Sequence, residues 1–177
     1  MTLLTSAYHE ERLLSLLMMV ARFARGTETE QGAIYEAYLE NTCFINNWDL
    51  VDSSAQHIVG AYLLTRNREP IYRLADSTNL WERRISIMSS FHFIKRNDFS
   101  DTLNLSAHLI QAPEELLHKA VGWMLREIGN RNLAIEEQFL KKNYKDMPRT
   151  MLRYAIEKFP EDKRQAYLKG HILTEII

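Results

Sequence analysis

The chain has 177 residues, 46% of them hydrophobic and 25% charged, with six glycines, four prolines and a formal net charge of −1. This composition excludes a disordered, collagen-like or linker-dominated chain, and near-neutral charge taken alone predicts no polyanionic partner. The single cysteine, Cys43, excludes an intrachain disulfide; its place at the end of an apolar run predicts a buried thiol in a cytoplasmic protein.

The run HEERLLSLLMMVARFAR at residues 9–25 predicts a helix so densely apolar that more than one side needs cover, yet too short to span a bilayer. Gly26 and Thr27 interrupt it, and a second helix follows over about 29–42. Asn46 or Asn47 can cap the next, which runs through Trp48, Val51, Ala55, Ile58, Val59 and Leu63. Pro70 suits the first turn of a short helix. Asn79 precedes LWERRISIMSSFHFIK, LNLSAHLI follows, and Pro113 opens PEELLHKAVGWMLREIG with LAIEEQFLKKNY as its partner. Pro148 starts a helix stopped before Pro160, and a last helix over about 161–168 ends at Gly170. The longer members begin near 48, 80, 114 and 148, a spacing that predicts an all-α solenoid of helix pairs. No linker or composition shift divides residues 1–177, so one helical-repeat domain is expected; a globular all-α bundle is the alternative.

Charge is unevenly spread. Residues 1–62 carry three basic and eight acidic side chains, residues 63–96 seven and three, and residues 119–169 twelve and seven. Two basic zones in a repeating fold could form a stripe that steers a polyanion, or an ordinary solvated surface.

Trp48 and Asp52 lie one helical turn apart on one face. Asp49 is placed to satisfy free backbone donors at the helix start. Asp52 is deeper, where a carboxylate must be hydrogen-bonded, ion-paired or open to a groove; an arginine of the next helix pair is the structural alternative to a chemical role. Trp81, Arg83 and Arg84 open a later helix, and Trp123 and Arg126 share a face on another. Core packing suits Trp81, whereas Trp48 and Trp123 could stack on a sugar or base. Lys141, Lys142, Lys145, Arg149 and Arg153 form a basic cluster; Arg149 and Arg153, one turn apart, could both contact phosphates. The sequence has no HExxH, paired CxxC, EF-hand loop, glycine-rich phosphate loop or G-x-S-x-G elbow, and His9, His57, His92, His108, His118 and His171 have no ligand spacing. No metal or cofactor is expected.

NNWDLVD, WERRISI, KAVGWMLREIG and MPRTMLRYAIEKF, in this order, resemble the HEAT-like DNA alkylation-repair glycosylases, the AlkD-like family, over almost the whole chain. The resemblance implies an array of helix pairs holding alkylated double-stranded DNA. It also implies hydrolysis of the N-glycosidic bond of positively charged N7- or N3-alkylated purines, without a cofactor. By that resemblance Asp52 is the catalytic carboxylate and Trp48 and Trp123 are tryptophans of the site. Arg84, or alternatively Arg83, faces DNA, together with Arg126; Arg149 and Arg153 would hold backbone. The family usually has helices before the segment resembling HEERLLSLL, so the chain is expected to be short at its N-terminus, with an exposed apolar face favouring a homodimer there. A non-catalytic HEAT-like module that binds DNA or protein is the competing function.

Overall fold

The computed structural model describes residues 3–172, which are helical with no strand among them. Their contacts divide the chain between Phe93 and Ile94 into two compact units.

In the first unit, α1 (His9–Arg25) and α2 (Glu28–Glu40) form a hairpin. Thr27 caps α2 reciprocally: its side chain accepts from the Glu30 backbone while the Glu30 carboxylate accepts from Thr27. A 3₁₀ turn, Thr42–Phe44, leads to α3 (Trp48–Asp52), whose cap is Asn47. Asn46 instead accepts from Arg12 of α1. Cys43 is exposed, against expectation. Side chains of a one-turn 3₁₀ segment point about 120° apart, and it is Thr42 that turns inward there.

The long helix expected from Trp48 to Leu63 is interrupted. After α3 come a turn, a π-helical turn at Gln56–Gly60, and α4 (Ala61–Leu63). Ser54 Oγ donates to the Leu50 carbonyl at 2.5 Å and lies 3.4 Å from that of Val51; Ser53 Oγ donates to Leu50 at 3.3 Å. Serine hydroxyls returned to preceding carbonyls bend helices. The same chemistry divides the next predicted helix. α5 (Glu69–Ala75), with Pro70 in its first turn, leads to α6 (Leu80–Ser89), capped by Asn79. Ser89 and Ser90 then donate to the Ile85 and Ile87 carbonyls, separating α6 from α7 (Phe91–Ile94).

These breaks let two backbones approach. A Cβ on Gly60 would stand 2.2 Å from the Ser89 carbonyl oxygen and 2.8 Å from His92 Cβ, so only glycine fits where the π turn meets the end of α6. The buried core around it includes Leu16, Leu50, Val51, Ile58, Ile85 and Met88.

The second unit holds α8 (Ser100–His108), α9 (Glu115–Gly129), α10 (Leu133–Asn143), α11 (Arg149–Ala155) and α12 (Glu161–Lys169). α9 packs on both α10 and α11, burying Leu117, Val121, Met124 and Leu125 with Phe139, Leu140 and Met151. Gly122 plays the part of Gly60: a Cβ there would meet the Met151 carbonyl oxygen at 2.4 Å. α12 ends as expected on Gly170 in the left-handed conformation, φ 74°. The fold is all-α with helix pairs as its building unit, as the solenoid reading requires; helices start at Trp48, Leu80, Glu115 and Arg149, near the four expected positions, but those at Trp48 and Arg149 are short, five and seven residues, where long ones were expected.

Candidate active site

Asp52 ends α3 and Arg84 lies one turn into α6, so the packing of these helices brings the two side chains together. Arg84 Nε donates to Asp52 Oδ1 at 2.9 Å and an Nη donates to Oδ2 at 2.8 Å, a bidentate fork. The Arg84 side chain is 6% exposed and that of Asp52 15%. Arg84 is therefore a buried partner of the carboxylate rather than an outward-reaching cation. A carboxylate offers about four acceptor positions, so the fork leaves Asp52 with acceptor capacity beyond Arg84.

Trp48, one turn before Asp52, stands 54% exposed. A large indole held in water at the start of a helix has no role in the core. Asp49 does the structural work expected of it: Oδ1 accepts from the Leu50 backbone at 2.9 Å, and Oδ2 lies 2.7 Å from His9 Nε2 on α1. Arg12 also reaches across from α1, donating to Asn46, so the start of α3 is tied to α1 at two points.

Two further supports were not evident from sequence. Tyr38, fully buried on α2, shares a 2.9 Å hydrogen bond with Ser54. Burial, with the Asp52 charge nearby, pushes its phenol above the ordinary tyrosine range, so it stays neutral. Glu82 accepts from Thr42 Oγ1 at 2.6 Å and Ser77 Oγ at 2.5 Å, fixing the first turn of α6. The spacing of Asn79 and Glu82 carried a hint, being that of a capping box, but the acid bridges to other segments.

The first basic zone is mostly committed internally. Arg66 pairs with Glu28 and lies over the Tyr62 ring; Arg68 lies over Phe93; Arg73 pairs with Glu69; Arg83 donates to the Ser77 carbonyl at 2.9 Å. Trp81 is half-buried.

In the second unit Trp123 is half-buried, its indole N–H donating to Glu127 at 3.3 Å. Arg126 is ion-paired with Glu157. Arg149 donates to the Leu168 carbonyl at 2.5 Å, which leaves its charge unneutralised. Arg153, Lys141 and Lys142 are exposed. Among the described residues no three His, Cys, Asp or Glu side chains cluster to hold a metal ion, and no helix is long and apolar enough to cross a membrane.

A family model described as DNA alkylation repair enzyme matches residues 1–159. No curated protein and no solved structure matches the chain.

Proposed function

Because the chain belongs to the DNA alkylation repair enzyme family, we propose that it is a monofunctional DNA glycosylase for positively charged alkylpurines in duplex DNA, with Asp52 as its catalytic carboxylate. The observation that carries this reading is an exposed Trp48 one turn before a carboxylate held by Arg84. Such a pair suits a deoxyribose: the indole covers an apolar sugar face, and the Asp52 carboxylate meets the anomeric carbon and a water.

N7- or N3-alkylation leaves the purine cationic, so breaking the bond to C1′ sends the electron pair to the base and releases it neutral. The sugar then carries the positive charge. A negative oxygen fixed beside that cation stabilises the transition state more than the ground state, because the charge exists only as the bond breaks. Asp52 also accepts a hydrogen bond from the incoming water, whose oxygen bonds to C1′ and whose proton passes through the carboxylate to solvent. Abasic DNA and free base result. The bidentate fork gives Arg84 an orienting role in this scheme: it fixes the carboxylate plane and prevents Asp52 from rotating away. Arg83, which donates to the Ser77 carbonyl, is read as the alternative DNA-facing cation of α6.

Trp123 and Arg126 of the second unit are read as DNA contacts, and Arg149 and Arg153 as phosphate contacts that position the strand without reading sequence. The residues of both units are read as one HEAT-like repeat domain. The reading requires only one copy of the chain and places it in the cytoplasm.

The competing reading, a HEAT-like module that binds DNA or protein without catalysis, is favoured by the low exposure of the Asp52–Arg84 pair, since a buried fork also serves as a plain structural link. One assay separates the two. Uniformly methylated duplex is incubated with excess protein and a metal chelator, and free base and abasic sites are quantified. The glycosylase releases both in equal amounts; retention of the duplex with no base released supports the binding module.

A further inference from the structure

The outward face of α1 is unusual. Positions 10, 14, 17, 18, 21 and 25 fall within about 100° of one another around a helix of 3.6 residues per turn. They are Glu10, Leu14, Leu17, Met18, Ala21 and Arg25, and all are exposed. Leu14, Leu17 and Met18 are 51%, 47% and 58% exposed, while the opposite side buries Leu16 and Phe23 in the first unit. A solvated helix face normally carries polar residues along its length. This one has an acid at its start, an apolar centre and a base at its end.

That order is complementary to itself when reversed. Residues equidistant from the midpoint between Leu17 and Met18 are Glu10 with Arg25, Leu14 with Ala21, and Leu17 with Met18. Two α1 helices laid antiparallel, 8–10 Å apart by the usual packing distance, bring each acid against the base of the other helix. Leucine, methionine and alanine fill the middle. Neither Glu10 nor Arg25 has a charge partner within the described chain. The pattern fits a two-fold axis, where the same patch must satisfy itself.

We propose that α1 is a self-association surface: two copies of this chain pair antiparallel through Leu14, Leu17, Met18 and Ala21, with Glu10 of each opposite Arg25 of the other. Leu3, exposed and lining one groove with Met18, Ala21 and Arg25, extends the apolar area. Stable interfaces bury about 800 Å² per partner, whereas a 17-residue helix is only about 25 Å long. The association is accordingly weak and reversible, with dissociation in the micromolar range. It is independent of the chemistry at Asp52.

Sedimentation equilibrium of the full chain from about 1 to 200 μM tests it, the upper value being set by the micromolar affinity expected of so small an interface. The chain is expected to pass from monomer to dimer across that range. Leu17→Asp, at an exposed position where the fold is preserved, leaves only monomer, with unchanged helicity by circular dichroism. Glu10→Arg and Arg25→Glu each weaken the dimer roughly tenfold, because each makes two symmetric like-charge contacts. An equimolar mixture of these two variants recovers dimer, since every end then meets its opposite, and the chain carrying both substitutions recovers it alone. A wild-type chain that stays monomeric at the highest concentration overturns the proposal. So does a dimer indifferent to Leu17→Asp, or charge reversals that mixing fails to rescue.

Discussion

At Glu136 the fold holds a carboxyl group 1% exposed, with Oε1 lacking a hydrogen-bond partner and Oε2 against the α-carbon of Gly129. Burial first, and the neighbouring charge of Glu137 second, push its pKa up to about 8, against the opposing pull of Arg126 and Lys163. The sign of the linkage follows from the raised value. Below the ordinary pKa of 4.5 the group is protonated whether the chain is folded or not; between 4.5 and about 8 only the folded chain keeps the proton. Rising pH therefore favours unfolding across that window, and the dependence flattens above it. Urea unfolding between pH 5 and 8.5 should show Glu136→Gln losing less stability than wild type, by on the order of 2 kcal/mol across the window. Parallel pH profiles would contradict this. Glu136 left no sign in the sequence, because an acid in LAIEEQFLKKNY is expected to face water and its burial depends on a glycine seven residues earlier in the chain. Asp52 was legible only as a choice between chemistry and an ion pair, and the ion pair is present without deciding the chemistry.

Helix starts were readable because caps are local. Asn47, Asn79 and Pro70 stand where their side-chain chemistry requires, whereas Thr27, read only as a break after α1, caps α2. Helix interiors were not. The apolar period continues through Ser53–Ser54 and Ser89–Ser90, and period alone cannot register a hydroxyl donating back to a carbonyl. Those breaks matter to the site, because the π turn after α3 meets the end of α6 at Gly60. A methyl group there must displace the Ser89 carbonyl. Gly60→Ala is expected to cost about 1–3 kcal/mol, the usual range for overpacking. Since α3 and α6 carry Asp52 and Arg84, it should also slow base release beyond what lost folded protein explains. Thermal unfolding alongside activity per folded chain measures both, and unaltered stability would contradict the close approach.

Across the molecule, charge zones counted from sequence proved a poor guide to free charge. Arg66, Arg73 and Arg84 face carboxylates, so the first zone offers DNA fewer cations than its composition suggests. Pairing of residues some forty positions apart, such as Arg66 with Glu28, leaves no local trace. Arg153 differs, being exposed without an intrachain charge partner among the described residues. If it contacts a phosphate, Arg153→Ala weakens binding to undamaged duplex several-fold and lowers the slope of log affinity against log salt by about one. An unchanged slope would remove it from the interface. The helical class and its pairing were legible throughout, since the 3.6-residue period and the punctuation by Gly, Pro and Asn are written locally.

Single-turnover release of methylated base by Asp52→Asn, compared with wild type at equal folded concentration, tests the central claim most directly. Asparagine keeps the shape but removes the charge that the sugar cation needs, and it leaves Arg84 partly unpaired. Stability should fall by about 3 kcal/mol, the order seen when one partner of a buried ion pair is lost, so the folded fraction must be fixed first. The release rate is predicted to drop at least about 100-fold, as for other fixed groups that meet transition-state charge, while duplex affinity stays within a few-fold. A folded Asp52→Asn protein releasing base at the wild-type rate would contradict the account.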